Sequence, residues 1–372
     1  MNVFTAAGVD AAAVQSAVGA VTEPETGLML DILGAVGDVR VRRSGRVTVP
    51  VALLTPDDAV RARLADAIAA AAHTVAGVGD VEVEFAPMAE SARMDLARRL
   101  RAATPPVRRT PRIYAVASGK GGVGKSTVTA NLAAALVLDG QRVGVLDADV
   151  WGYSVPQLFG VRHSPVALAG LMLPVRTHGV ALMSTGFFVG EDEPVVWRGP
   201  MLHKALEQFL DDVAWGELDV LLLDLPPGTG DITLSLLELV PEAALLAVTT
   251  PQAAARAVAS RVVRMARDGG MPVAGVVENM TASACGACGE LTPVFGSGGG
   301  QTLAEIAEAP LLGRIPLDLA LREAGDRGVP VVREAPDAPS SVALTALARS
   351  LPVVRRPLLG RALPLAVVGS GP

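Results

Sequence analysis

One stretch constrains this chain more than any other: an apolar strand runs into a glycine-rich loop, and the loop runs into a helix. Residues 113–117 read as the strand, Ser118-Gly119-Lys120-Gly121-Gly122-Val123-Gly124-Lys125-Ser126-Thr127 as the loop, and residues 126–138 as the helix. The spacing is G-x-x-x-x-G-K-[ST], in the strand–loop–helix setting that gives this pattern its meaning. Glycines let backbone N–H groups face a phosphate with no Cβ in the way, and the helix adds its positive end. Gly119, Gly121, Gly122, Val123 and Gly124 therefore form a phosphate cradle. Lys125 is placed to reach the β- and γ-phosphates of ATP, Ser126 offers a hydroxyl to Mg²⁺, and Thr127 belongs to the same nucleotide-binding set.

A loop of this kind needs a sheet behind it. From residue 112 onward, short apolar strands (113–117, 142–146, 220–223, 244–248, 273–277, 311–314) alternate with helical stretches (126–138, 201–213, 252–267). Continuous apolar strands between helices predict an α/β fold: a mostly parallel sheet with helices on both faces and ligands at the carboxyl ends of the strands. Residues 1–100 read as a small α+β domain: a helix over 9–20, a hairpin of 36–42 and 46–53 around Ser44-Gly45, a helix over 57–72 with Thr55 or Asp57 as N-cap, and a strand over 81–85. Three Pro and three Arg mark 101–111 as a linker, 112–350 as the nucleotide-binding domain, and the Pro-interrupted 351–372 as a flexible tail.

Two strand ends supply acid groups. Asp147-Ala148-Asp149 follows one strand, and Asp224 ends another, ahead of Pro226-Pro227-Gly228-Thr229-Gly230-Asp231. A strand-terminal Asp beside a phosphate loop can hold Mg²⁺ through water, which is the role expected of Asp224. Asp149 is expected to orient the attacking water.

Composition narrows the class. The chain carries 32 basic residues, and only Lys120, Lys125 and Lys204 are Lys. A chain that uses Arg almost everywhere has kept two Lys in one glycine-rich loop. A net charge of −6 argues against a nucleic-acid protein built on a basic surface. No apolar run approaches the ~18 residues that span a bilayer. No basic, apolar leader opens the chain, and only two Cys are present, so a cytoplasmic location without membrane attachment is expected. Those two, Cys285 and Cys288, are spaced C-x-x-C among small residues. Soft thiolates suit iron–sulfur clusters and zinc, and such centres usually take four ligands. Two thiolates per chain therefore point to a two-fold homodimer. From spacing alone, zinc and a redox disulfide stay open as readings of the pair.

Taken together, ASGKGGVGKST (117–127), LDADVWGYSVPQLFG (146–160), WRGPM (197–201), WGELDVLLLDLPPGTGD (215–231), VTTPQ (248–252), GVVENM (275–280) with the Cys pair, FGSGGG (295–300), LGRIPLD (312–318) and GDRGVP (325–330) make residues 112–350 resemble one family. It is the Mrp-type iron–sulfur cluster carriers, within the deviant-Walker P-loop ATPases. The resemblance implies slow ATP hydrolysis and a labile cluster, [4Fe–4S] in type, held between subunits by Cys285 and Cys288 and passed to apo-proteins, with cluster assembly machinery as a further partner. It implies that Lys120 reaches the partner subunit's nucleotide and takes part in catalysis, and that Asn279 meets the adenine edge. Residues 1–100 resemble, more weakly, the small domain that precedes the ATPase in many members. That domain often carries a Cys after its Leu-Thr element, whereas no Cys precedes residue 285 here, so docking is the role left to it. Two other functions use the same parts: a positioning-type ATPase switch, and a zinc or nickel chaperone working through the Cys pair.

Overall fold

The computed structural model describes residues 9–42, 44–55, 57–104, 107, 112–188, 199–284 and 290–353. The chain begins with helix α1 (Ala11–Gly19), started by the Asp10 carboxylate, which accepts from the N–H groups of Ala12 and Ala13. Helix α2 (Leu30–Leu33) and strands β1 (Arg40–Val41) and β2 (Val47–Leu53) come next. The expected hairpin forms, but β1 is only two residues long, because Val36 returns to β2 as an isolated bridge to Val51. Helix α3 (Asp58–Ala72) is capped by Asp57, one of the two residues expected to cap it, and not by Thr55. Strand β3 (Val81–Pro87) lies parallel to β2, and helix α4 (Glu90–Ala103) closes the unit. Helix α4 runs three residues into the stretch that reads as a linker. Its last turn is anchored by Arg101, which donates to the Gly170 carbonyl at 2.9 Å and pairs with Asp212.

Strands β4 (Arg112–Ser118) and β5 (Val143–Asp147) flank helix α5 (Lys125–Leu138), and the one-turn helix α6 (Val155–Leu158) lies beyond them. Next come four short strands that sequence periodicity does not show: β6 (Val166–Leu168), β7 (Leu171–Leu173), β8 (Val175–Thr177) and β9 (Val180–Ser184). Helix α7 (Gly199–Asp211), β10 (Val220–Asp224), α8 (Asp231–Leu239), β11 (Ala244–Thr249) and α9 (Ala253–Asp268) continue the alternation. Strand β12 (Val273–Ala284), β13 (Leu291–Thr292), α10 (Gly299–Ala307), β14 (Leu311–Leu317), α11 (Leu319–Arg327), α12 (Val331–Glu334) and α13 (Pro339–Ser350) complete it.

The central sheet runs β13-β12-β11-β4-β10-β5-β9-β8, with β14 also on β12. All pairings are parallel except those of β8 and β13, so the fold is the expected α/β sheet. Alternate residues of β4 feed opposite faces. Ile113, Ala115 and Ala117 join the core under α7 to α9, while Tyr114 and Val116 join the core around α5 and α13. Helix α5 is buried on nearly every side, which is why its second half, from Leu132 to Leu138, is apolar throughout. Pro352, placed by the sequence in the tail, is held instead: its carbonyl accepts from the Tyr114 hydroxyl at 2.7 Å. The rest of the expected tail, 354–372, lies outside the described residues.

A third core is shared along the chain. Buried apolar residues of the first unit, among them Val47, Leu64, Ile68 and Leu96, pack with Val166, Leu168, Leu171 and Leu173 of the β6–β7 hairpin. Arg93 of α4 links the two by donating to the carbonyls of Leu54 and Ala167, each at 2.8 Å.

Candidate functional site

Strand β4 occupies the middle of the sheet, so the loop after it emerges at the centre of the carboxyl edge. Gly119 is required there by crowding: a Cβ would lie 2.2 Å from the backbone nitrogen of Ala259 in α9. Gly121 and Gly122 face open space. Gly124 has a φ of +81° and caps α5, with Lys125 as the first helical residue. Val123 is buried, and the loop is further tied down by the Gly228 N–H, which donates to the Ser118 carbonyl at 2.8 Å.

Parallel pairing brings the acid groups together. Asp224 and Asp147 are register partners at the last positions of β10 and β5. The Asp224 carboxylate is fully buried and receives three side chains at 2.6 Å. Lys125 Nζ and Ser126 Oγ donate to its Oδ2, and Thr129 Oγ1 donates to its Oδ1. Lys125 is only 6% exposed, so it and Asp224 form a buried ion pair in which each group compensates the other's desolvation.

The sequence shows Asp147 as the first acid of Asp147-Ala148-Asp149 but assigns it no role in the site. Its carboxylate is fully buried and accepts from the N–H of Asp149, the N–H of Val155 and the Ser184 hydroxyl. Burial raises its pKa from 3.8 to about 7. The nearby Asp224 charge pushes the same way, and Lys125 opposes both. Thr129, one helical turn beyond Lys125, was also missed. The available signal was an acid directly following each of two apolar strands.

The other expected residues divide. Asp149 is buried beside Asp147, with its Oδ1 accepting from the Gly152 N–H at 2.9 Å. Lys120 is half-buried, and its ammonium donates to Gln252 Oε1 of the same chain at 3.0 Å. Asn279 on β12 is buried, and its amide donates to the Val123 carbonyl of the loop at 2.9 Å. Asn279, Gly124 and Thr127 line a cavity of about 1170 Å³ that continues past Tyr153, Asp318 and Arg322. Ser283 and Ala284 of β12 pair antiparallel with Thr292 and Leu291. The chain joining these two pairs contains Cys285 and Cys288, which lie outside the described residues. No helix among the described residues is long and apolar enough to cross a membrane.

A family model of the NUBPL iron-transfer P-loop NTPases matches residues 109–352, and one of iron–sulfur cluster assembly proteins matches residues 11–85. The iron–sulfur cluster carrier protein of Mycobacterium tuberculosis is 44% identical over 371 residues, covering 95% of this chain and 96% of that protein. That of Deinococcus radiodurans is 42% identical over 339 residues, covering 90% and 93%. Among solved structures, a nucleotide-binding protein from Archaeoglobus fulgidus in complex with ADP is 37% identical with a TM-score of 0.54, covering 61% of this chain and 91% of that one. The matched range takes in the loop, both carboxylate-bearing strands and the cysteine pair, and this chain therefore belongs to the iron-transfer P-loop NTPases that include the iron–sulfur cluster carrier proteins.

Proposed function

We propose that this protein binds and hydrolyses ATP and carries an iron–sulfur cluster between two copies of itself for delivery to apo-proteins. The observation that carries the reading is the meeting of Lys125 and Ser126 on Asp224 at the mouth of the phosphate loop. A cationic side chain and a helix N-terminus there can take up the charge of the β- and γ-phosphates. The Ser126 hydroxyl and the Asp224 carboxylate, 2.6 Å apart, are the hard oxygen donors that Mg²⁺ prefers, Asp224 acting through water. Bound there, Mg²⁺ would neutralise charge building on the phosphates. Asp149 orients the attacking water, and its bond from Gly152 holds the carboxylate in place. Asn279 fixes the loop from behind while facing the cavity into which the adenine fits. Lys120 exchanges Gln252 for the nucleotide of the partner subunit when the dimer tightens.

The cluster, [4Fe–4S] in type, is cargo on Cys285 and Cys288 of both subunits. The first unit, through Ala103, docks a partner from the assembly machinery or a recipient, and 104–111 join it to a nucleotide-binding domain that extends from 112 to at least Pro352. The working compartment is the cytoplasm.

Iron and acid-labile sulfide per dimer, measured after anaerobic reconstitution, test the reading. Wild type should hold about four of each, and the Cys285→Ala/Cys288→Ala variant should hold neither. Background iron with zinc retained in wild type would make the protein a metal chaperone instead.

A further inference from the structure

Among the described residues, four that are not glycine have positive φ: Ala169, His178, Met280 and Glu308. Ala169 and His178 sit in the tight turns between β6 and β7 and between β8 and β9, and Glu308 ends α10. Only Met280 adopts this conformation, with φ +57°, inside a strand. An L residue there crowds its Cβ against the backbone, and a long apolar side chain offers no local hydrogen bond to offset that. Pairing slips at the same place. Asn279 lies opposite Ile315 and Ser283 opposite Leu317, so four residues of β12 span the length of two on β14. This is a bulge, a device that bends a strand and re-aims the residues beyond it.

The bulge has a contact to the phosphate loop on one side and the β12–β13 pairing on the other. Immediately before it, Asn279 holds the Val123 carbonyl of the phosphate loop. Immediately after it, Ser283 and Ala284 form the stem of the hairpin that carries the cysteines. The Met280 side chain also reaches back: its Cε lies 3.6 Å from where a Cβ of Gly124 would stand. The far end of this excursion is pinned to the same root, since Glu278 Oε1 accepts from the Gly300 N–H at 2.7 Å. Residues 280–299 thus leave and return at one point, beside the phosphate loop.

We propose that Met280 is the positioning residue through which the phosphate loop sets the orientation of the β12–β13 pairing, the described stem from which the chain carrying the cysteines departs. Its left-handed backbone is the joint, and its side chain, which lines one cavity with Gly124 and brings its Cε within 3.6 Å of where a Gly124 Cβ would stand, is the lever. The inference rests on the carrier reading above. A loop that shifts when phosphates bind displaces Val123 and Gly124, and both contacts converge on residues 279 and 280.

The test is cluster transfer from the reconstituted full-length dimer to a chelator, with and without saturating ATP–Mg²⁺, in wild type, Met280→Gly and Met280→Leu. Saturation removes any change in nucleotide affinity, and each variant serves as its own control through the ratio of the two rates. Gly accepts the left-handed backbone freely and so keeps the fold, but it deletes the lever. Leu keeps the apolar bulk. We expect Met280→Gly to lower the nucleotide-dependent ratio at least threefold toward unity, and Met280→Leu to stay near wild type. A wild-type ratio retained in Met280→Gly would overturn the role of Met280 alone. A ratio of unity in wild type would overturn the coupled carrier reading and the lever with it.

Discussion

Asp147 shows what a buried acid beside a phosphate loop does before any ligand arrives. Burial, reinforced by Asp224, raises its pKa to about 7, so the folded state holds a proton that the unfolded chain releases near 3.8. The folded state then binds more protons between those values, and stability falls as pH rises from about 4 to about 7. The contribution is fully present below the unfolded value and gone above the folded one. The difference in melting temperature between wild type and Asp147→Asn, measured without nucleotide, should therefore shift steadily against wild type across that window. A flat difference would mean that Asp147 titrates as it does in the unfolded chain. At this scale the phosphate loop was fully legible, because its residues are contiguous and each has one physical task. Asp147 was not, because its importance comes from a register partner on a strand far along the chain.

At the scale of elements, the loop is a compromise between β4, α9 and β12. Gly119 lets α9 approach the loop backbone directly, and Gly124 leaves room for the Asn279 amide, 2.2 Å from where its Cβ would stand. In Gly119→Ala the obstacle is backbone rather than a flexible side chain, so α9 itself must shift. Overpacking of this kind costs about 1–3 kcal/mol. Thermal melting should show that loss together with weakened ATP binding, since the displaced loop carries the phosphate-facing N–H groups. Unchanged melting and unchanged affinity would mean that α9 gives way freely. The alternation of long strands and helices was readable because parallel strands are apolar on both faces. Strands β6 to β8 and helix α12 were not, since three-residue strands and a one-turn helix carry too few periods to register; the longer β9, α4, α8, α10, α11 and α13 also went unread. The sequence also ends the strand at 277 and offers no sign that it continues through a bulge to residue 284.

For the whole molecule, the shared core between the first unit and the β6–β7 hairpin is the feature that periodicity could least foresee. Leu168 is fully buried there, among residues more than 60 positions earlier in the chain, such as Leu64 and Leu96. Leu168→Ala should cost roughly 2–5 kcal/mol. The loss should fall on the first unit, splitting one calorimetric transition into two, with the lower one assigned by hydrogen exchange to residues 9–103. A single transition shifted as a whole would mean that the two units unfold together even when the hairpin packs poorly. The hairpin also has a place in the circuit of the site. It belongs to the excursion between Val155 and Ser184, both of which donate to Asp147.

That arrangement changes how a client protein would be presented. If 104–111 were the only connection, a client captured by residues 1–100 would sample a cloud of positions, and its encounter with the cysteines would scale with tether length. A hairpin built into the first unit's own core makes the relation that of a jig and its workpiece. Lengthening the connection with Gly-Ser repeats should leave delivery rates untouched, because distance is set by the grip of the hairpin and not by the slack in the chain.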